Sequence, residues 1–269
     1  MVSAITVTVC ELHEQPATLE ADWTALVQHV RDAGSDLVLL PEMPFSPWLA
    51  ATPPPEDEAE STQGWEEAMR AHAAWLARLP ELGSARRAPI VVGTRPILRN
   101  GRRMNEGFVW TAETGLRGVH AKFHLPDEEG FWEASWYERG PGDFRVTEVA
   151  GIRIGFLICS ELWFYAHARA YMAQGVHLLA VPRATPHSSV DKWIAGGRVA
   201  GVVAGAYCLS SNLCGSGIEV GTFGGAGWVT DPEAKLLALT DADTPFQTVR
   251  IDLAAADAAK HTYPRYLPG

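Results

Sequence analysis

The sequence predicts a layered α/β fold in which the sheets are covered on both faces. Three short apolar runs, at residues 36–41, 89–94 and 176–181, have the length of strands and the continuous hydrophobicity of strands buried on both sides. Amphipathic helices separate these runs. Over residues 19–30, for example, apolar side chains recur every three or four positions. Alternating buried strands and helices are typical of layered α/β architectures.

Each remaining element follows from a local pattern. Residues 4–9 (AITVTV) are largely β-branched and predict the first strand, while Gly34 suits the end of the first helix. Residues 46–64 are rich in proline and then acidic, so we expect a loop there, followed by a helix over 65–82. Further strands are predicted at 107–111, 116–122, 144–149, 152–158, 206–211, 226–229, 236–240 and 247–251, and further helices at 161–174, 190–203 and from 253. No shift in composition divides the chain, so we expect a single domain over residues 1–269.

Composition narrows the function. The 269 residues include 22 Lys plus Arg and 32 Asp plus Glu, and the resulting net charge of −10 disfavours nucleic acid as a partner. No apolar run approaches the ~18 residues of a membrane span, and the N-terminus lacks the pattern of a secretory signal. Four cysteines, at 10, 159, 208 and 214, form no paired motif, which is typical of a reduced, cytoplasmic protein. Zinc-ligand spacings and nucleotide-binding glycine motifs do not occur in the sequence, so we expect neither a metal nor another cofactor.

Three segments place a reactive side chain where a predicted buried strand ends. LVLLPEMPF contains Glu42, VHAKFHLP contains Lys122, and IGFLICSEL contains Cys159. In α/β sheets, ligand sites lie outside the carboxyl ends of the strands. A half-buried carboxylate can accept and return a proton, and a lysine can stabilise an oxyanion. A cysteine at the N-terminus of a helix is expected to have its thiolate favoured.

Each segment taken alone also has an ordinary structural explanation. An exposed loop carboxylate, a lysine that extends to solvent and an inert buried thiol would give the same local sequences. The functional prediction therefore depends on the combination of the three and on their order along the chain.

That combination resembles the nitrilase superfamily of carbon–nitrogen hydrolases. The matching motifs are LLPEMPF at 39–45, KFHLP at 122–126 and GFLIC at 155–159. Further likeness lies in HLLAVP at 177–182, in the helix and strand over 196–215 with Arg198 and Asn212, and in GWVTDPEAKLL at 227–237. The resemblance covers nearly the whole chain in the family's order.

The resemblance implies a four-layer α-β-β-α sandwich and a homodimer formed through the outer helices. It also implies a Glu–Lys–Cys triad, in which Glu42 takes the proton of Cys159 and the thiolate attacks an amide or nitrile carbon. Lys122 and the backbone N–H of Ser160 would stabilise the developing negative charge. The family's second glutamate, which orients the lysine or the substrate, is matched here to Glu129.

Residues around the motifs bear on the substrate. Ser160 stands where nitrilases typically have Trp, and residues 162 and 163 stand where carbamoylases typically carry arginines for a substrate carboxylate. Arg183 offers a guanidinium either to the pocket or to a structural salt bridge. Aromatic residues expected as walls of a pocket for a compact, partly apolar substrate are Phe45, Trp48, Phe131, Trp132 and Trp163.

We therefore expect a hydrolase of a small amide that works through a cysteine thioester. A nitrilase, which converts a nitrile to an acid and ammonia, uses the same residues and is the first alternative. An acyltransferase that passes the acyl group to an amine, and a protein that binds without catalysis, are the others. Cys10, Cys208 and Cys214 are expected to be core thiols.

Overall fold

Strands and helices alternate along residues 4–84, 87–215 and 223–267, which the computed structural model describes. The strands are β1 (Ala4–His13), β2 (Leu37–Leu39), β3 (Ile90–Arg99), β4 (Arg102–Thr111), β5 (Gly115–Ala121), β6 (Thr147–Val149), β7 (Ile152–Phe156), β8 (Leu178–Arg183), β9 (Tyr207–Cys214), β10 (Trp228–Thr230), β11 (Leu236–Leu239) and β12 (Phe246–Asp252). The α-helices are α1 (Pro16–Ala33), α2 (Glu58–Leu76), α3 (Glu133–Trp136), α4 (Tyr165–Ala173), α5 (Val190–Ala204) and α6 (Leu253–Ala259). Short 3₁₀ helices cover Leu49–Ala51, Leu79–Leu82, Cys159–Trp163 and His187–Ser189. Among the helices in these three stretches, none has the length and apolar character needed to cross a membrane.

Two mixed sheets form the centre of the fold and meet at β1. The first sheet has the strand order β12-β1-β2-β3-β4-β5, and the second has the order β11-β10-β9-β8-β7-β6. β1 is parallel to β2 in the first sheet, and its residues 11–13 pair in parallel with β9 of the second. β3 is parallel to β2, and β7, β8 and β9 run parallel to one another. The carboxyl ends of parallel strands from both sheets therefore meet along one edge.

Side chains along the central strands alternate between two hydrophobic layers. In β2, Leu37 and Leu39 lie in the core between the sheets, together with Phe156 of the second sheet. Val38 lies on the opposite face, in the layer that contains Trp23 of α1. α1 and α2 cover the outer face of the first sheet, and α4 and α5 pack on the second. This order of helix, sheet, sheet and helix confirms the four-layer sandwich.

The acidic half of the predicted 46–64 loop is helical. α2 begins at Glu58 because the Asp57 side chain accepts hydrogen bonds of 2.7 and 3.2 Å from two backbone N–H groups of the first turn. Acidic side chains also favour a helix N-terminus. The charges that predicted a loop therefore form a helix cap. The helix predicted over 161–174 is likewise divided, with a 3₁₀ turn from Cys159 followed by α4.

Candidate active site

The turn that follows β2 carries Glu42, whose side chain is completely buried rather than half-buried as predicted. Its backbone N–H donates to the carbonyl of Arg183 at the end of β8, across the junction of the two sheets. The next residue, Met43, has a φ of 39°, a left-handed conformation that is costly for a residue with a side chain. A 2.8 Å hydrogen bond from the Met43 N–H to Oγ1 of Thr94 holds this turn in place.

Lys122 follows β5 directly and lies between two carboxylates. Its Nζ donates to Oε1 of Glu42 at 2.8 Å, and to Oε1 and Oε2 of Glu133 at 2.8 and 2.5 Å. All three side chains are fully shielded from solvent. Burial by itself lowers the pKa of Lys122, but the carboxylates of Glu133 and Glu42 outweigh burial and raise that pKa above its ordinary value. The lysine is therefore held as an ammonium ion.

The glutamate beside Lys122 is Glu133, so the assignment of that place to Glu129 is wrong. Glu129 lies in an exposed turn, whereas Glu133 begins α3 and is fully buried. Burial raises the pKa of Glu133 to about 7, while Lys122 and a hydrogen bond from the Tyr137 hydroxyl act in the opposite direction. The sequence contains a clue to this, because Glu133 lies within the apolar stretch FWEASWY and Glu129 within the polar stretch PDEEG.

Cys159 begins the 3₁₀ turn that follows β7 and has a φ of 48°. The Glu161 carboxylate stabilises this strained turn by accepting the N–H of Ile158 at 2.8 Å. The same carboxylate accepts the N–H of Phe123 at 2.7 Å and lies 2.9 Å from Nε2 of His120. Glu161 therefore ties the segment that carries Cys159 to the segment that carries Lys122.

The Cys159 thiol is protonated at rest, contrary to the prediction that its position favours the thiolate. Burial and the negative charge of Glu42 raise the pKa of the Cys159 thiol well above its ordinary value. The Lys122 ammonium and a hydrogen bond from the backbone of Ala184 oppose this shift without reversing it. Since only the thiolate is a strong nucleophile, chemistry at this sulfur requires a base to remove the proton.

A cavity of about 330 Å³ opens onto Cys159. Glu133 and Ser160 lie on its wall, and the Ser160 hydroxyl donates to the His124 carbonyl at 2.5 Å. Apolar walls come from Phe131, Trp163 and Trp193, with the last two rings 4.8 Å apart. We call this the inner cavity; it has room for a small, partly apolar molecule.

A second cavity of about 500 Å³, the outer chamber, adjoins the inner cavity and shares Phe131 and Pro186 with it. Its other walls include Trp48, Phe223 and two carboxylates, those of Glu14 and Glu129. Glu14 accepts the backbone N–H of Trp48 at 2.6 Å, and burial raises the pKa of Glu14. No lysine, arginine or histidine lies on the described part of the wall.

Three of the residues predicted to line the pocket lie elsewhere. Phe45 is buried in the layer beneath α1, where its ring stacks on Trp75, because the turn after Glu42 directs it away from the cavities. Trp132 borders neither cavity and packs against the aromatic cluster beside α3. Trp48, Phe131, Ser160 and Trp163 do border the two cavities.

Arg183 is the third residue that was predicted to line the pocket and lies elsewhere, and it is a structural residue of the second sheet. It is fully buried, and its guanidinium donates to Ser210 Oγ at 2.6 Å, Thr185 Oγ1 at 2.7 Å and the Ala226 carbonyl at 2.7 Å. Within the described residues it has no carboxylate at ion-pair distance, so the alternative of a salt bridge is also wrong. Burial lowers the pKa of Arg183 to about 10.

The other matched residues and cysteines have simple positions. Asn212 on β9 accepts the Thr185 N–H at 3.0 Å and so helps to shape the loop beside Cys159. Arg198 is exposed. Two cysteines, Cys10 and Cys208, are buried in the core as expected, whereas Cys214 at the end of β9 is partly exposed. In the described residues, no group of three His, Cys, Asp or Glu side chains is arranged to hold a metal ion.

Two polar residues that the sequence did not single out complete the cluster. Asn105 on β4 is fully buried, and its Nδ2 donates to Oε1 of Glu42 at 2.8 Å. Tyr137 follows α3, and its hydroxyl donates to Oε2 of Glu133. Glu106 follows Asn105 directly, so the sequence of β4 contains no isolated polar residue that would have singled out Asn105.

Curated relatives match part of the chain. An N-carbamoylputrescine amidase of Solanum tuberosum is 29% identical over 185 residues, which are 62% of this chain and 61% of that protein. A citrullinase of Francisella tularensis is 32% identical over 89 residues, or 30% of this chain and 31% of that protein. The chain therefore spans less than two thirds of the length of these relatives.

Solved structures match nearly the whole chain. A carbon-nitrogen hydrolase from Helicobacter pylori G27 is 19% identical, with a TM-score of 0.82 over 97% of this chain and 94% of that one. A glutamate-to-glutamine variant of the amidase from Nesterenkonia sp. AN1 is 18% identical, with a TM-score of 0.72 over 97% and 94%. That structure shows the acetamide moiety of fluoroacetamide added covalently at the active-site cysteine. The carbon-nitrogen hydrolase family matches residues 6–261, and this chain belongs to that family.

Proposed function

We propose that the protein hydrolyses the carbon–nitrogen bond of a small amide through a thioester on Cys159. One observation carries the proposal: Glu42 has one oxygen held by Lys122 and Asn105, and its other oxygen, Oε2, is buried without a partner among the described residues. An unpartnered buried carboxylate oxygen destabilises the fold, and a catalytic role explains why it is kept. Glu42 is also the charged residue that most strongly raises the pKa of Cys159, and the thiol requires a base.

The first half of the reaction forms the thioester. Oε2 of Glu42 takes the Cys159 proton, and the sulfur attacks the amide carbon, whose carbonyl electrons move to oxygen. The Lys122 ammonium and the Ser160 backbone N–H stabilise that oxyanion, and Glu133 keeps Lys122 charged and in place. When the oxyanion collapses, the carbon–nitrogen bond breaks and Glu42 transfers its proton to the leaving nitrogen, which departs as ammonia or an amine.

The second half releases the acid. Glu42, ionised again, takes a proton from a water molecule that attacks the thioester carbon. A second oxyanion forms next to Lys122 and collapses, the carbon–sulfur bond breaks, and the sulfur recovers the proton from Glu42. The enzyme returns to its starting state, and the net reaction is amide plus water to acid plus amine.

The relatives favour an amide over a nitrile. Proteins named for action on amide or ureido groups appear among both the sequence and the structural relatives, including the N-carbamoylputrescine amidase, the citrullinase and the Nesterenkonia amidase. A nitrile would use the same Cys159 and Glu42 and remains the alternative substrate. Transfer of the acyl group to an amine is the further alternative, in which an amine takes the place of water.

The outer chamber favours an amide or N-carbamoyl compound whose far end is a cation. Glu14 and Glu129 bring two carboxylates to its wall, and Trp48, Phe131 and Phe223 bring aromatic rings. Carboxylates and aromatic faces both attract an ammonium group. N-carbamoylputrescine, after which the plant relatives are named, is a diamine with one amine carbamoylated and therefore carries such a group.

Intact-protein mass spectrometry tests the proposal most directly. The protein is mixed with paired amides, N-carbamoyl amines and nitriles and quenched within seconds. We expect an acyl adduct from amides or carbamoyl compounds, located on the peptide that contains Cys159, and steady release of ammonia or amine. Turnover of nitriles alone would reject the amide assignment, and a product joined to an added amine in place of the free acid would favour acyl transfer.

A further inference from the structure

Five buried polar side chains form a connected hydrogen-bond network around Lys122. Lys122 Nζ donates to Oε1 of Glu42, and Asn105 Nδ2 donates to the same oxygen, each at 2.8 Å. The Tyr137 hydroxyl donates to Oε2 of Glu133, and both oxygens of Glu133 accept from Lys122 Nζ. The triad uses Glu42 and Lys122, but it does not explain Asn105 and Tyr137.

Asn105 makes the two oxygens of Glu42 unequal. Oε1 accepts two donors, whereas Oε2 accepts none from the described residues. A carboxylate held by one oxygen cannot rotate to exchange the two without losing both hydrogen bonds. The backbone carbonyl of Asn105 also accepts the backbone N–H of Lys122 at 2.9 Å. One residue therefore sets the orientation of the base and the position of the lysine.

Tyr137 acts on the other carboxylate. The three N–H bonds of the Lys122 ammonium are directed to Oε1 of Glu42 and to both oxygens of Glu133. To stabilise a substrate oxyanion, Lys122 must withdraw one N–H from a carboxylate. Two of these oxygens keep another donor when this happens: Oε2 of Glu133, to which the Tyr137 hydroxyl remains bonded, and Oε1 of Glu42, which keeps Asn105. A buried oxygen left without any donor would make that withdrawal costly.

We propose that Asn105 and Tyr137 are positioning residues for the hydrolysis proposed above, on which this inference rests. Asn105 holds Glu42 so that Oε2 is the atom that exchanges protons with Cys159 and the leaving nitrogen. Tyr137 satisfies Glu133 while Lys122 turns one N–H toward the substrate oxygen. Neither residue needs to touch the substrate.

Tyr137→Phe and Asn105→Ala test the two roles, and Tyr137→Phe keeps the shape of the side chain, so it is expected to fold. We expect each variant to lower kcat about tenfold and to change KM less than about twofold. A tenfold loss of kcat is part of the contribution of a positioned general base. In Tyr137→Phe, the acidic limb of the rate profile moves to higher pH, because the lost hydrogen bond favoured ionised Glu133. The charged or titratable groups that face Glu133 are Lys122, Glu42 and Cys159, and all three remain in that variant.

Thr8→Val is the matched control for loss of a buried hydrogen bond. Thr8 Oγ1 bonds Ser35 Oγ at 2.5 Å and Thr248 Oγ1 at 2.7 Å, outside both cavities. We expect Thr8→Val to lower the melting temperature and to leave the pH profile unchanged. Wild-type kcat and pH profile in both Asn105→Ala and Tyr137→Phe would overturn the inference.

Alkylation by iodoacetamide keeps the test independent of any substrate. Its rate at Cys159, located by peptide mass spectrometry, reports removal of the thiol proton by Glu42. We expect Asn105→Ala to slow it about tenfold at neutral pH, a fraction of the contribution of a general base, and an unchanged rate would overturn the role of Asn105. Absence of turnover on every amide, with slowed alkylation in the variant, would reject the proposed hydrolysis and keep the positioning role.

Discussion

The protein has carboxylates in two very different settings, beside two cavities that share Phe131 and Pro186. In the inner cluster, Glu42 and Glu133 are fully buried and each bonds the same ammonium, Lys122. In the outer chamber, one carboxylate is partly exposed and the other exposed, and no described cation lies beside them. The first setting pairs buried carboxylates with a buried cation, and the second leaves negative charge facing a cavity.

This difference separates chemistry from selection of the substrate. A buried charge depends on particular partners at particular distances, so its loss acts on the rate. A half-exposed charge acts through its field, so its loss changes which substrates are favoured by a modest factor. Substitutions in the two settings should therefore have effects of different size and kind.

The largest effect is expected beside the inner cluster, in Cys159→Ala. Removing the proposed nucleophile should lower kcat by roughly 10⁴-fold or more, as loss of the nucleophile does in enzymes that pass through a covalent intermediate. The replacement is slightly smaller, so the melting temperature should change by no more than about 3 °C. Ammonia release and calorimetry on the same preparation measure both. Activity close to wild type would reject Cys159 as the nucleophile.

Glu133→Gln and Glu129→Gln compare the settings directly, with the same chemical change four residues apart. Glu133→Gln should lower kcat on the order of a hundredfold, since it removes one of the two carboxylates that hold Lys122. Glu129→Gln should leave kcat within about twofold, because an exposed charge contributes little. Steady-state kinetics on a neutral amide measure both, and a reversed order would return the role to Glu129.

The sequence predicted the elements whose pattern is strictly local. Continuous apolar runs identified the buried strands around Leu37–Leu39 and Leu178–Arg183, and Gly34 ends α1 with a φ of 62°, as its type predicted. The sequence also predicted that Glu42, Lys122 and Cys159 follow the ends of strands, and the topology brings these strand ends together. These features depend on periodicity and on residue type, both of which are visible in the chain.

The remaining features depend on contacts between distant segments. Glu129 and Glu133 are both acidic residues shortly after Lys122, and only the start of α3 decides which one reaches the lysine. The pKa of Cys159 could not be foreseen either, because burial and the charge of Glu42, 117 positions earlier in the sequence, outweigh the local turn. Sequence position thus predicted which side chains lie together at the strand ends, while their protonation depends on tertiary packing.

Glu14→Gln tests the role of negative charge in the outer chamber. Glutamine can still accept the Trp48 N–H, so the variant loses the charge and keeps the shape of the chamber. For a pair of N-carbamoyl amines that differ only in a terminal ammonium or methyl group, we expect the wild-type preference for the cation to fall about tenfold. The neutral substrate should be unaffected. Glu148→Gln, at an exposed position on β6, controls for net charge, and an equal loss of preference there would show that the chamber does not select the cation.

The smallest expected effect is the pH dependence of the preference for the cationic substrate. Burial raises the pKa of Glu14, so as the pH falls this carboxylate takes up a proton earlier than an ordinary glutamate does. Protonation removes its charge, so the ratio of kcat/KM for the cationic and the neutral substrate should decrease with falling pH in the wild type. Titration of the inner cluster acts equally on both substrates and cancels in the ratio. In Glu14→Gln the ratio should be low at every pH. A wild-type ratio that does not depend on pH would mean that the cation is not recognised by Glu14, and the outer chamber would then be only a passage to the buried cluster.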